Sequence, residues 1–141
     1  MYSGWDVPRG AAVFMYSGWD AKVNDPKAFL NLDDSNILHF PAFALETVKF
    51  LIRERQVVGI GVDTLSIDVG KSKGPVLPVH KAWHDAGKWN VECVANLSRV
   101  PPSGATVFVG ASKVIGAAGG LVRLIATFPS EAGRERERAP R

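Results

Sequence analysis

The sequence predicts a single domain of the α/β (α+β) class. Its 141 residues suit one domain with a modest core, and 46% of them are apolar, which is typical of a globular protein. Short apolar runs typical of strands outnumber the long amphipathic helices, and strands alternate with short helices along the chain. A mixed arrangement of helices and strands is therefore expected.

The first strand and the first helix are predicted near the N-terminus. The apolar run Ala11–Tyr16 leads into the turn residues of SGWD, which is typical of a buried strand followed by a turn. Asp25-Pro26 opens a short helix, since proline is favoured at the first helical position. A loop is predicted over His39–Phe43, because Pro41 biases the preceding residue away from helix.

The clearest helix and the most apolar strand are predicted next. Helix Ala44–Arg55 carries apolar side chains that recur on one face, namely Leu45, Val48, Leu51 and Ile52. The run VVGIGV at Val57–Val62 is almost continuously apolar. Such a run predicts a strand that is buried on both faces.

The remaining predicted elements are short. A helix over Val79–Ala86 is ended by Gly87, and a strand follows at Trp89–Val94. Two further strands are predicted over Thr106–Val109 and Leu121–Phe128.

The hexamer MYSGWD occurs twice, at Met1–Asp6 and at Met15–Asp20. Only the second copy has its own apolar strand leading into it, and no further repeat unit follows, which excludes a solenoid. We therefore expect residues 1–6 to be a spurious or duplicated segment and residues 7–129 to form the domain. The charge-rich residues 130–141 are predicted to be a disordered tail.

Charge and composition exclude several classes of function. The net charge is +3, and no basic face with interleaved aromatic residues is visible, which argues against nucleic-acid binding. No apolar run approaches the roughly 18 residues of a membrane span, and the N-terminus does not read as a signal peptide. A single cysteine, Cys93, excludes an internal disulfide and is compatible with a reducing compartment. A cytoplasmic protein is therefore expected.

His80 and Glu92 are the most informative pair of ionisable residues. The helix from His80 advances by about 10 Å at roughly 1.5 Å per residue, and the strand after Gly87 returns by about 13 Å at roughly 3.3 Å per residue. If the strand runs beside the helix, the imidazole and the carboxylate meet. The two side chains could then bind a divalent metal, or they could form a hydrogen bond that joins the helix to the strand. Spacing alone favours the hydrogen bond.

Other polar residues near this pair have simpler interpretations. His84 lies four residues after His80, but no glutamate stands between them as in HExxH, so His84 is expected at the surface. Cys93 should point to the face opposite Glu92 and form a buried, inert thiol. Two glycine-rich stretches occur, at residues 59–61 and 116–120, and neither precedes a predicted helix. Nucleotide binding is therefore not expected.

Polar and aromatic side chains also follow the predicted strands. Asp63, Ser66 and Asp68 come directly after the most apolar strand, where loops often carry function, although turn formation explains them at least as well. Trp19 either lines a pocket or packs in the core.

Six segments of the sequence, taken in order, resemble the C-terminal half of the cyclase family of metal-dependent hydrolases, which includes bacterial kynurenine formamidase and isatin hydrolase. They are GAAVFMYSGWD, HFPAF, VVGIGVDTLSIDVG, PVHKAW, VECVANLSRVPPSGA and GGLVRLIA. The resemblance runs from about Val7 to Phe128 and implies a swivelling β/β/α fold, incomplete at the N-terminus. It also implies hydrolysis of an amide or cyclic amide, as in an arylformamidase, with bound Zn²⁺ or Mn²⁺.

The resemblance implies that His80 and Glu92 are metal ligands, which reverses the preference drawn from spacing. The family signature His-x-Gly-Thr-His-x-Asp-x-Pro-x-His, which supplies the other ligands and an acid/base histidine, has no counterpart in this sequence. Impaired activity and weak retention of the metal are therefore expected, and the catalytic residues stay unknown. The alternative is a non-catalytic remnant that serves as a binding or assembly element. A small-molecule amide substrate and a homo-oligomer are the expected partners.

Overall fold

The computed structural model describes residues 7–70 and 76–130. The first copy of MYSGWD and residues 131–141 of the predicted tail lie outside the described residues. The chain divides into two compact units, Met1–Leu97 and Ser98–Arg141.

A parallel sheet forms the centre of the first unit. Within residues 7–70 and 76–97 it contains three strands in the order β1 (Ala12–Met15), β2 (Gly59–Val62) and β3 (Trp89–Val91). β2 pairs in parallel with both neighbours. The carboxyl ends of the strands therefore lie along one edge of the sheet.

Helices connect these strands. α1 (Pro26–Leu30) begins as predicted, since the Asp25 side chain accepts a hydrogen bond from the backbone N–H of Ala28 at 3.1 Å. α2 (Leu45–Arg53) and α3 (Pro78–Asp85) follow. Short 3₁₀ turns occupy Trp19–Lys22 and Leu97–Arg99.

The core lies between the helices and one face of the sheet. Ile60 and Val62 of β2 pack in one cluster with buried side chains of α2 and α3, namely Val48, Leu51, Val79 and Trp83. Ile67, in the connection after β2, completes it. The apolar face predicted for the long helix is thus the face that is buried.

Glycines explain how β2 is covered on its other face. Gly59 and Gly61 alternate with Ile60 and Val62, so they point away from the helices. A Cβ atom at Gly59 would overlap the indole of Trp89, and one at Gly61 would overlap the ring of Phe14. Aromatic rings of the flanking strands therefore cover the central strand, and burial on both faces is confirmed.

Replacing Gly59 by alanine is expected to lower the free energy of unfolding by roughly 1–3 kcal/mol, because the new methyl group must displace the Trp89 ring. Urea unfolding followed by circular dichroism measures the change. Gly119→Ala is the control: its Cβ would meet open space, so a change within about 0.5 kcal/mol is expected. Equal stability of the two variants would contradict the packing described.

Two antiparallel strands form a hairpin within residues 98–130, β4 (Thr106–Ala111) and β5 (Val122–Thr127). Phe108 lies opposite Ile125, and these side chains are 56% and 54% exposed. The strands predicted here are therefore present, with shifted ends.

The end of β3 departs from the prediction. The strand stops at Val91 rather than Val94, because Cys93 has a φ of 54°, which interrupts an extended strand. The described part of the chain contains no helix that is both long enough and apolar enough to cross a membrane.

Candidate metal centre

The candidate site lies at the carboxyl edge of the parallel sheet. Ser17 follows the end of β1, Asp63 follows β2 directly, and Glu92 follows β3 directly. Parallel pairing brings these positions to the same edge, where open α/β sheets commonly bind ligands.

Asp63 fixes the segment after β1. Its carboxylate is fully buried and accepts hydrogen bonds from the Ser17 hydroxyl at 2.6 Å and from the Trp19 backbone N–H at 2.8 Å. The Ser17 backbone N–H donates to the same carboxylate. Hydrogen bonds of this kind offset the cost of burying a charged group, so Asp63 is an anchor of the loop.

Asp68 performs a similar role at the start of α3. Its carboxylate, in a residue only 1% exposed, accepts from the backbone N–H groups of Val79 and His80, each at 2.8 Å. These groups belong to the first turn, where no helical carbonyl can accept from them and where the helix dipole favours negative charge. Asp68 therefore stabilises the helix that carries His80.

The same carboxylate orients the His80 ring. Nδ1 of His80 lies 2.7 Å from Oδ2 of Asp68. Because a carboxylate only accepts, Nδ1 carries the proton of this bond, and the neutral ring has its lone pair on Nε2. The tautomer of His80 is thus set by its hydrogen-bond partner.

Nε2 of His80 faces Glu92. The distance from Nε2 to Oε1 of Glu92 is 3.2 Å, and the same oxygen accepts from the Ile67 backbone N–H at 2.9 Å. The two side chains are 22% and 29% exposed, so the pair is reached from solvent. A lone pair and a carboxylate oxygen at this separation repel each other unless a proton or a cation lies between them. The structure therefore brings together the two residues that the sequence singled out; their role as metal ligands stays a prediction.

Known proteins of one family are similar to this chain. The model of the Cyclase family matches residues 2–69. An isatin hydrolase of Roseibium aggregatum is 28% identical over 126 residues, which are 88% of this chain and 47% of that protein. The structure of isatin hydrolase A from Ralstonia solanacearum is 36% identical with a TM-score of 0.79, over 85% of this chain and 46% of that one. This chain is similar to the cyclase family.

A further structure of the family gives the same picture. An isatin hydrolase bound to the product analogue thioisatinate is 28% identical with a TM-score of 0.81, over 88% of this chain and 47% of that one. The mixed helix and strand fold expected from the sequence is thus confirmed. The chain spans about half the length of the relatives it matches.

The described part of the chain brings few possible metal ligands together. No group of three or more His, Cys, Asp or Glu side chains in residues 7–70 and 76–130 is arranged to hold a metal ion. The Asp68 carboxylate already accepts hydrogen bonds from the start of α3. His80 and Glu92 are therefore the two possible ligands whose side chains face each other. A catalytic metal usually has about three protein ligands, so this pair alone is an incomplete set.

His84 and Cys93 lie near this pair, and both are exposed. His84 is exposed, as predicted, and its Nε2 lies 2.6 Å from Oδ1 of Asn90. The prediction of a buried thiol at Cys93 was wrong, because the residue is exposed where β3 has ended. Partial desolvation of the thiol, followed by the nearby Glu92 charge, raises the pKa of Cys93, so the thiol stays protonated at neutral pH.

The polar cluster after β2 combines turn formation and long-range bonds. Ser66 stays local, since its hydroxyl accepts from the Asp68 backbone N–H at 3.2 Å. Asp63 and Asp68 instead reach segments 44 to 46 and 11 to 12 residues away. Their position after a buried strand was the available signal, but the sequence could not tell which backbone groups they would bind.

Proposed function

We propose that this chain is part of a metal-dependent hydrolase that acts on an amide or cyclic amide. His80 and Glu92 would contribute to the metal site, and catalytic residues beyond them stay unassigned. The observation that carries the proposal is the separation of 3.2 Å between Nε2 of His80 and Oε1 of Glu92. The match to the Cyclase family and the likeness to isatin hydrolases support the reaction class.

The donor pair fits a divalent ion. Zinc is bound by imidazole nitrogen and carboxylate oxygen at roughly 2.0–2.2 Å, so two such ligands at a tetrahedral angle lie about 3.3 Å apart. The separation in this chain is 3.2 Å. Imidazole also suits Zn²⁺, and carboxylate suits Mn²⁺, so both metals are consistent with the pair.

Chain residues would hold both donors in place. Asp68 keeps the proton of His80 on Nδ1, which leaves Nε2 free to bind, and the Ile67 N–H orients the Glu92 carboxylate. When bound, the metal ion supplies a Lewis acid that polarises the amide carbonyl. Because two donors are fewer than a catalytic metal usually has, we propose that this chain holds the ion weakly and that its activity is impaired.

A second candidate function follows from the same shortage of donors. Residues 7–70 and 76–130 hold no group of three possible ligands, which favours a non-catalytic chain that serves in binding or assembly. The exposed Phe108 and Ile125 of the hairpin are compatible with such a role. The homo-oligomer expected from the sequence stays a prediction.

Metal binding tests the proposal. Titration of the purified chain with Mn²⁺, followed by electron paramagnetic resonance of the free ion, should show binding by the unaltered protein. Glu92→Gln is expected to weaken it by on the order of tenfold or more, because one of the paired donors loses its charge. Glu46→Gln, an equal charge change at an exposed position of α2, should leave binding unchanged.

Hydrolysis of isatin, measured on the same samples, separates the two candidates. Turnover above the metal-only blank that disappears in Glu92→Gln supports the hydrolase. Metal binding without turnover supports the binding or assembly element. If the unaltered protein and Glu92→Gln bind equally little Mn²⁺, the metal centre proposed for this chain is refuted.

A further inference from the structure

Thr64 is a fully buried polar residue that directly follows Asp63 in the connection after β2. Its hydroxyl lies 2.9 Å from the Pro41 carbonyl and 3.3 Å from the Ser66 carbonyl. A carbonyl only accepts, and a hydroxyl has one proton, so the shorter contact identifies Pro41 as the main acceptor. The hydroxyl therefore joins this connection to the loop before α2, 23 residues earlier in the chain.

The backbone of Thr64 contacts the segment that carries Glu92. The Thr64 carbonyl accepts from the Cys93 backbone N–H at 2.8 Å. Cys93 has a φ of 54°, a left-handed conformation that costs free energy for a residue with a side chain and persists only where surrounding contacts hold it. The bond to Thr64 is one such contact, so Thr64 fixes the backbone immediately after Glu92.

Ile67, at the other end of the same segment, contacts Glu92 directly. Its backbone N–H donates to Oε1 of Glu92 at 2.9 Å, and its carbonyl accepts from the Phe43 backbone N–H at 3.2 Å. Segment 64–67 is thus bound to residues 92–93 on one side and to residues 41–43 on the other. Because the segment is short, the position of the Ile67 N–H depends on the hydrogen bond of the Thr64 hydroxyl.

We propose that Thr64 is a positioning residue for Glu92. Its hydroxyl holds segment 64–67 against residues 41–43, and the Ile67 N–H then keeps the Glu92 carboxylate 3.2 Å from Nε2 of His80. A glutamate side chain held in this way has lost its rotamer freedom before an ion arrives, which lowers the entropy cost of binding. The benefit to a metal ion rests on the proposed function, whereas the contacts that position Glu92 do not depend on it.

Packing is the alternative role for Thr64, since its methyl group is buried together with the hydroxyl. Two substitutions separate these roles. Thr64→Val keeps the approximate shape of the side chain and removes the donor to Pro41, whereas Thr64→Ser keeps the donor and removes the methyl group. Positioning by the hydroxyl predicts that valine impairs Glu92 and that serine preserves it, and packing predicts the reverse order.

Hydrogen exchange of the Ile67 amide, measured by NMR on the full chain with EDTA present, tests the positioning without any metal. In Thr64→Val this amide should exchange about threefold to tenfold faster relative to the Leu51 amide of α2, which is the worth of one hydrogen bond. In Thr64→Ser the ratio of the two exchange rates should stay within about twofold of the unaltered chain.

Thr47→Val is the matched control, because it makes the same chemical change at an exposed position of α2. It should leave the exchange ratio of the Ile67 and Leu51 amides unchanged. An unchanged ratio in Thr64→Val, or a larger change in Thr64→Ser than in Thr64→Val, would overturn the positioning role.

Binding of Mn²⁺, followed by electron paramagnetic resonance of the free ion, measures the consequence for the metal centre. Thr64→Val is expected to weaken binding by about threefold to tenfold, because the Glu92 ligand is retained and only its orientation is lost. Thr64→Ser and Thr47→Val should bind within about twofold of the unaltered chain. Faster exchange at Ile67 in Thr64→Val without a loss of Mn²⁺ affinity would refute the positioning of Glu92 for an ion.

Failure of the hydrolase function and failure of the positioning role are distinguishable. An unaltered chain that binds no Mn²⁺ refutes the metal centre, and the Ile67 exchange ratio then decides the role of Thr64 by itself. If Mn²⁺ binding responds to Glu92→Gln while Thr64→Val changes neither measurement, only the role of Thr64 is refuted.

Discussion

Replacing Asp68 by alanine is expected to lower the free energy of unfolding by roughly 3 kcal/mol or more. The buried carboxylate accepts from the backbone N–H groups of Val79 and His80. Without it, the buried Val79 donor and the partly buried His80 donor lose their partner, at a cost of about 1–3 kcal/mol per group, and α3 loses a negative charge at its positive end. Urea unfolding measured by circular dichroism gives the change.

The same variant should release the His80 ring. Nδ1 of His80 would no longer be held by the carboxylate, so the fixed tautomer is lost and Mn²⁺ binding is expected to fall by about tenfold to a hundredfold. Asp68→Asn is the matched control, because an amide oxygen still accepts one of the bonds at similar volume. It should fall between the unaltered chain and Asp68→Ala in both measurements. A stability change within 0.5 kcal/mol for Asp68→Ala would contradict the anchoring role.

Replacing Trp83 by alanine is expected to lower the free energy of unfolding by roughly 3–5 kcal/mol, as is usual when a large buried aromatic side chain is removed. Trp83 is fully buried, packs in the core between α3 and the sheet, and donates from Nε1 to the Trp89 carbonyl at 2.7 Å. The variant loses both the packed volume and this bond. Guanidinium unfolding followed by circular dichroism is the measurement.

Trp83→Phe separates these two contributions. Phenylalanine keeps most of the buried volume but cannot donate to the Trp89 carbonyl, so a smaller loss of about 1–2 kcal/mol is expected. If the alanine variant were no less stable than the phenylalanine variant, the packing of Trp83 would not contribute as described.

The convergence of His80 and Glu92 could be predicted from the sequence because the path between them is short and regular. A helix, a turn at Gly87 and a strand of few residues leave little freedom, and Gly87 indeed has a φ of 68°. The rise per residue of each element then limits the distance between the two side chains. Local geometry was sufficient because the segment contains no long loop.

The roles of Asp63 and Asp68 could not be predicted in the same way. Short polar side chains after a strand usually bind their own turn, and Ser66 does so. Asp63 accepts from a backbone N–H in the loop that follows β1, and Asp68 accepts from a backbone N–H of α3. Their partners therefore depend on how the strands are ordered in the sheet. The exposure of Cys93 likewise could not be predicted, because Cys93 itself has a positive φ, which the alternation of side chains along a strand does not reveal.

The connection from Asp63 to Asp68 binds the loop of Trp19 at one end and the start of α3, with His80, at the other. These six consecutive residues thus connect the indole of Trp19 to the imidazole of His80. A displacement of this connection would therefore move the Trp19 loop and the start of α3, with His80, together.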